Sequence, residues 1–143
     1  MDGGLTVANG RKSILFVCIE NSTRSVMAEG FAKSMGFQAS SAGTFPAVQT
    51  NPLVVEAMGE VGIDVSGSKP KELTEELIGA ADIVVLTDAA LGAAIPGNLR
   101  KKMKKKAVEW SVADPQGKDM VEVRYTRDQI RRLVSSLTST ASQ

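Results

Sequence analysis

The chain has no histidine and a single cysteine, Cys18. Without histidine there is no Ser–His or Cys–His nucleophile pair, and no His-ligated metal site. One cysteine excludes a disulfide framework and a Cys-cluster zinc site within the chain. There is no excess of either charge: 17 Lys+Arg face 16 Asp+Glu, a net charge of +1, which disfavours a globally basic nucleic-acid binder. Long apolar runs are missing too. No window approaches 18 uninterrupted apolar residues, so no transmembrane helix is expected. Residues 1–12 carry no apolar stretch of signal-peptide length and read as a loose N-terminal extension. The lone thiol fits a reducing, cytoplasmic setting. Any enzyme built on this chain must take its acid–base groups from Asp, Glu, Lys, Tyr or that thiol.

What is present is an ordinary globular composition, 43% apolar and 23% charged over 143 residues, enough for one domain with a real core. Without repeats or an internal linker, residues 13–139 read as one domain. Residues 13–18 (SILFVC) form an apolar run without alternation, as in a strand buried on both faces of a parallel sheet. A helix is expected over 24–36, stopped by Gly36, and a strand over 37–42. Further helices are expected over 51–61 and 73–81, the latter capped by Thr74. Residues 82–87 (DIVVLT) repeat the buried-strand pattern, and 107–110 offer a fourth strand. Residues 89–106 read as a short helix and a basic turn. The second half of 119–137 reads as an amphipathic C-terminal helix, with a frayed polar tail after Leu137. This alternation predicts an α/β fold, a small doubly wound four-stranded parallel sheet with helices on both faces. Ligands of such sheets sit beyond the carboxyl ends of the strands, where Cys18 lies.

From Cys18 to Ser25 the chain reads Cys-Ile-Glu-Asn-Ser-Thr-Arg-Ser, a C-x5-R-S motif running from a strand end into a helix start. A loop of this length, comprising Ile19, Glu20, Asn21, Ser22 and Thr23, can turn its amides inward around one tetrahedral anion. The helix N-terminus adds free donors and the positive end of its dipole. Arg24 supplies a planar fork for two anion oxygens. The same field favours the thiolate form of Cys18, and Ser25 is placed to hydrogen-bond the sulfur. Asn21 tolerates the left-handed backbone that a tight cradle needs. The bland alternative is a buried cysteine acting as a small hydrophobe; the strand, the loop and the helix together outweigh it.

Val17 to Glu29 resembles the signature of the low-molecular-weight protein tyrosine phosphatases, and equally of their relatives, the thioredoxin-coupled arsenate reductases. The resemblance continues through Ser41-Ala42-Gly43-Thr44, Asn51-Pro52, Ala57-Met58, Gly62-Ile63-Asp64, Ala81 to Val85, Asp114-Pro115 and Arg127-Asp128. It implies that Cys18 attacks phosphorus to form a phosphocysteine and that Arg24 and the loop amides hold the equatorial oxygens. It also implies that Asp114 protonates the leaving oxygen and then activates water. No cofactor or metal is implied. The expected substrate is a phosphorylated protein, phosphotyrosine first, or a small phosphomonoester. Three positions depart from the family pattern. Glu20 stands where glycine is usual, which favours a substrate carrying positive charge or reshapes the mouth. Thr23 stands where many members have a second cysteine. Gln116 replaces the common aromatic after Asp114-Pro115, leaving Phe45 as the candidate wall for a substrate ring. An arsenate reductase with an internal cysteine relay is excluded by the cysteine count, which leaves one dependent on an external thiol. A non-catalytic phosphate-binding module is the third reading. Finally, Arg100–Lys106 packs six cations into seven positions. It reads first as a solvated turn and second as a dock for an acidic partner; with no interleaved aromatics, nucleic acid is disfavoured.

Overall fold

The computed structural model describes the backbone of residues 12–141 and the side chains through Leu137. The expected N-terminal extension lies outside the described residues except for Lys12. Four strands, β1 (Ser13–Cys18), β2 (Gln38–Gly43), β3 (Ile83–Leu86) and β4 (Ala107–Glu109), form one sheet in the order β2-β1-β3-β4. Every pairing is parallel, with Cys18 opposite Gly43 and Val17 opposite Leu86. The chain passes from β1 outward to β2, then returns to the other side of β1 for β3. That reversal is the switch point where doubly wound sheets open a crevice, and β1 ends there.

The α-helices are α1 (Arg24–Ser34), α2 (Pro52–Glu60), α3 (Glu75–Ala80), α4 (Gly97–Met103) and α5 (Met120–Ala141); a 3-10 helix spans Ala89–Ala94. Alternate residues of β1 serve opposite faces. Ile14 and Phe16 pack with α1, α2 and α5, while Leu15 and Val17 pack with Leu73, Ile78, Leu91 and Met103. All four β1 residues are at most 1% exposed, so both faces of the strand are covered. This is why its sequence shows no polar alternation. Phe16 and Trp110 meet with ring centroids 5.7 Å apart, fastening β4 to the centre of the sheet.

The local signals resolve as their chemistry dictates. Gly36 takes φ 93° just past α1, a conformation open to glycine at no steric cost. Thr74 Oγ1 accepts from the Leu77 amide and starts α3. Asn51 caps α2 through the Leu53 amide, with Pro52 in the first turn. The C-terminal helix departs from expectation at both ends. It begins at Met120, not halfway along 119–137, and its backbone continues past Leu137 to Ala141. Asp119 Oδ1 accepts from the Glu122 amide and caps the start. The valines at 121 and 123 mimic strand alternation, yet only Val123 is buried while Val121 is 69% exposed. Once nucleated, the helix gains one hydrogen bond per added residue, and this carries it through the polar tail. Among the described residues no helix is long and apolar enough to cross a membrane.

Candidate active site

The loop after β1 is built by fixing its carbonyls outward. Cys18 O accepts from the Thr44 amide at 3.2 Å, Ile19 O from Phe45 at 2.7 Å, Glu20 O from Ala47 at 2.9 Å and Ser22 O from Asn51 at 3.1 Å. The segment 44–51 thus binds four carbonyls of one loop. Because the C=O and N–H of one trans peptide unit point in opposite directions, each outward carbonyl turns the following amide inward. The amides of Glu20, Ser22 and Thr23 have no backbone acceptor among the described residues, while the Asn21 amide donates to Cys18 Sγ at 3.2 Å. This outer clamp needs Gly43. A Cβ there would stand 2.5 Å from Ile19 O and 2.8 Å from the Asn21 amide nitrogen, so only glycine lets the end of β2 abut the loop.

Asn21 holds the turn at φ 53°. Its Nδ2 donates to Ser25 Oγ at 2.8 Å and Ser41 Oγ at 2.9 Å, and its Oδ1 accepts from the Lys71 amide at 2.9 Å. One buried amide therefore spends both ends joining the loop, α1, β2 and the strand-like segment before α3. Ser25 Oγ lies 2.9 Å from Cys18 Sγ. Since Asn21 already donates to that oxygen, the Ser25 hydroxyl proton is free to point at the sulfur. Two donors thus converge on Cys18 Sγ.

Arg24 is the largest fully buried side chain, 1% exposed. Its Nη1 is tied to the scaffold, donating to Val112 O at 2.8 Å and Asp88 Oδ2 at 3.2 Å. Its Nε is buried with no partner, and Nη2 faces Asp114 Oδ2 only across 3.6 Å. Nε and Nη2 form one side of the guanidinium fork, so the side suited to bidentate oxyanion binding is the side left open. A buried unmade donor costs about 1–3 kcal/mol, which a bound oxyanion would recover. Asp114 is held by Thr23 Oγ1 at 3.1 Å and the Gln116 amide at 3.0 Å. Thr23, at the N-cap of α1, makes no side-chain cap bond; its hydroxyl is turned to Asp114. The N-terminal donors of α1 therefore stay available to an anion.

The structure thus gathers Cys18, Asn21, Thr23, Arg24, Ser25 and Asp114 at one rim of the sheet. Ser22 is buried in the loop, Ile19 is 39% exposed, and Glu20 is half-buried with Oε1 3.5 Å from Ser22 Oγ. Glu20 lines a side pocket of about 220 Å3 with Asn51 and Gln116, whose amides are joined at 3.0 Å. Phe45 adjoins the loop through its backbone, but its ring is 72% exposed and belongs to no core cluster. Two contributors escaped the sequence reading. Asp88 is the scaffold partner of Arg24; the signal available for it was a polar Thr87-Asp88 pair ending a buried strand at the rim that holds Cys18. The 44–51 clamp works through backbone amides, which side-chain identity does not announce.

Comparison with known proteins agrees with this geometry. The family model described as "Low molecular weight phosphotyrosine protein phosphatase" matches residues 13–143. Arsenate reductase 2 of Staphylococcus haemolyticus (strain JCSC1435) is 36% identical over 132 residues, covering 88% of this chain and 95% of its own. A YwlE mutant from Bacillus subtilis superposes with a TM-score of 0.83 at 28% identity, covering 92% of this chain and 99% of its own. YwlE arginine phosphatase from Geobacillus stearothermophilus gives 0.81 at 25% identity, covering 90% and 92%. The chain belongs to the low molecular weight phosphotyrosine protein phosphatase family and is a phosphatase that works through a cysteine nucleophile.

Proposed function

We propose that the chain hydrolyses phosphorylated protein side chains, phosphotyrosine first, through a phosphocysteine on Cys18. The observation that carries this is the Arg24 fork. One side is anchored by Asp88 and Val112, and the other lies open beside a sulfur that receives two hydrogen bonds. A dianionic phosphoryl group placed there accepts from Arg24 Nε and Nη2 and from the inward loop amides. These donors are fixed before substrate arrives, so little reorganisation is needed as charge shifts in the transition state. A sulfur lone pair of Cys18 forms the S–P bond as the P–O bond to the leaving group breaks. Asp114, acting as general acid, gives its proton to the departing oxygen. Asp114 then takes a proton from water as that water attacks phosphorus. The S–P bond breaks, inorganic phosphate leaves, and the Cys18 thiolate is restored.

Glu20, Asp88 and Asp114 put three carboxylates around this site, and no aromatic follows Pro115. That favours phosphoarginine, whose leaving group carries a positive charge, as a second substrate; solved neighbours named arginine phosphatases support the comparison. The relatives named arsenate reductases support a different use of the same cradle, with arsenate in place of phosphate. With one cysteine in the chain, that route needs an external dithiol, or two external thiols, as the two-electron reductant. One preparation given phosphotyrosine peptide, phosphoarginine peptide and arsenate plus reduced thioredoxin tests all three. Phosphate release from either peptide without arsenite supports the hydrolase. Arsenite formation with neither peptide cleaved would overturn it, and phosphate binding without turnover would identify a non-catalytic module.

A further inference from the structure

The basic run Arg100–Lys106 divides by what its members touch. Lys102 Nζ pairs with Glu75 at 3.2 Å. Lys106 Nζ donates to the carbonyls of Ile78 and Ala81 at 2.7 and 2.8 Å, closing the C-terminal end of α3. Arg100, Lys101, Lys104 and Lys105 have no side-chain hydrogen bond or ion pair among the described residues. Three of these four, Arg100, Lys101 and Lys104, border a groove of about 740 Å3 between α4 and β4. Leu86, Gly92, Met103 and Ala107 give it an apolar lining, and Glu109 is its one carboxylate. Beside it, β4 is the outer strand of the sheet, paired only to β3 and exposed along its length.

We infer that this groove docks an extended acidic segment bearing apolar side chains, supplied by a protein that the enzyme acts on. Three unpaired cations against one carboxylate select an acidic chain. The apolar lining takes alternate side chains of an extended segment, and the open strand edge offers it backbone partners. A single-stranded nucleic acid would want aromatic platforms for its bases, and none lines the groove. The groove also reaches the reaction rim: Leu86 lies two residues before Asp88, which holds Arg24 at 3.2 Å. A segment anchored there raises the local concentration of a phosphorylated side chain on the same protein. That kinetic consequence rests on the proposed phosphatase activity; the docking itself does not.

The test uses the full chain and a fluorescein-labelled acidic peptide of about a dozen residues with two leucines among glutamates. Controls are an all-glutamate peptide and a single-stranded oligonucleotide, both of matched charge. Anisotropy should report salt-sensitive binding of the leucine peptide, tighter than either control. Reversing Arg100, Lys101 and Lys104 to Glu should weaken it at least about tenfold. Gly92→Leu should weaken it comparably by filling the groove without changing charge; a Cβ at Gly92 meets nothing within 4 Å, and an unchanged Tm checks the fold. Turnover of p-nitrophenyl phosphate should be unchanged in both variants. Absence of binding, equal binding of either control, or undiminished binding in both variants would overturn the inference. A peptide that binds as stated to a preparation inactive on every phosphate ester would separate docking from the catalytic reading.

Discussion

Two polar segments of this chain look equally eye-catching in sequence and differ in how their meaning is set. From Cys18 to Ser25 the residue types are fixed by local geometry. A strand end, a left-handed Asn21 and a helix start put a thiol, a fork and free amides within one turn of chain. From Arg100 to Lys106 six near-identical cations do different jobs. Lys106 closes a helix, Lys102 meets Glu75, and the rest face solvent or a groove. A motif whose spacing encodes a geometry can be read before the fold is known. A charge run takes its roles from whatever the fold brings opposite it.

The comparison can be broken at its strong end first. Cys18→Ser should lower aryl phosphate turnover by at least about a thousandfold, since no other thiol is present to replace it. In the leaving-group-releasing half-reaction, read as the pre-steady-state burst, Asp114→Asn should slow esters with poor leaving groups by about 10²–10⁴ and p-nitrophenyl phosphate much less. Equal losses for both would remove Asp114 as the acid. Gly43→Ala tests whether the loop depends on the outer clamp. With Ile19 O 2.5 Å from the added methyl, a cost of about 1–3 kcal/mol in denaturant unfolding, with reduced turnover, is expected. Full activity and stability would show that the clamp yields freely. At the basic run, Lys106→Met should cost about 1 kcal/mol by uncapping α3, while Lys105→Met should cost nothing measurable; equal effects would erase the division of roles.

The smallest effect concerns α2 and α5. Arg124 and Arg127 hydrogen-bond Glu60, and chiefly through Arg124 its carboxyl is lowered from 4.5 to about 2. A depressed acid pKa stabilises the fold above the unfolded value and loses that contribution as pH falls toward the folded one. Glu60→Gln should therefore lower Tm slightly at neutral pH, with the difference closing between about pH 4.5 and 2. The group is solvent-exposed, so screening keeps the effect small. A difference that persists at pH 2 would contradict this assignment.

Most of the fold was legible because both faces of the sheet are covered. Apolar runs at 13–18 and 82–87 read as buried strands, and Pro52 in a first turn and the Thr74 cap mark their helices. The start of α5 is hidden in the sequence because Val121 and Val123 alternate like a strand, while the cap that begins the helix rests on one short side chain, Asp119. At the site, Cys18, Asn21, Arg24 and Ser25 were readable as one local constellation, and Asp114 through the family resemblance. Asp88 was not, because its role depends on a partner 64 positions away. The 44–51 clamp was hidden for a different reason: it donates backbone amides, which every non-proline residue owns. Phe45 was readable as an aromatic near the loop, but not as an exposed one.

The central claim is that Cys18 carries the phosphoryl group between the two half-reactions. The direct measurement is rapid acid quench of Asp114→Asn mixed with p-nitrophenyl phosphate, followed by intact and peptide mass spectrometry. Loss of the base that activates water should let the intermediate accumulate while nitrophenolate still leaves. One added phosphoryl group per chain, located on the peptide containing Cys18 and absent from Cys18→Ser, is the expected result. A burst of nitrophenolate with no phosphoryl group on Cys18 would contradict the account.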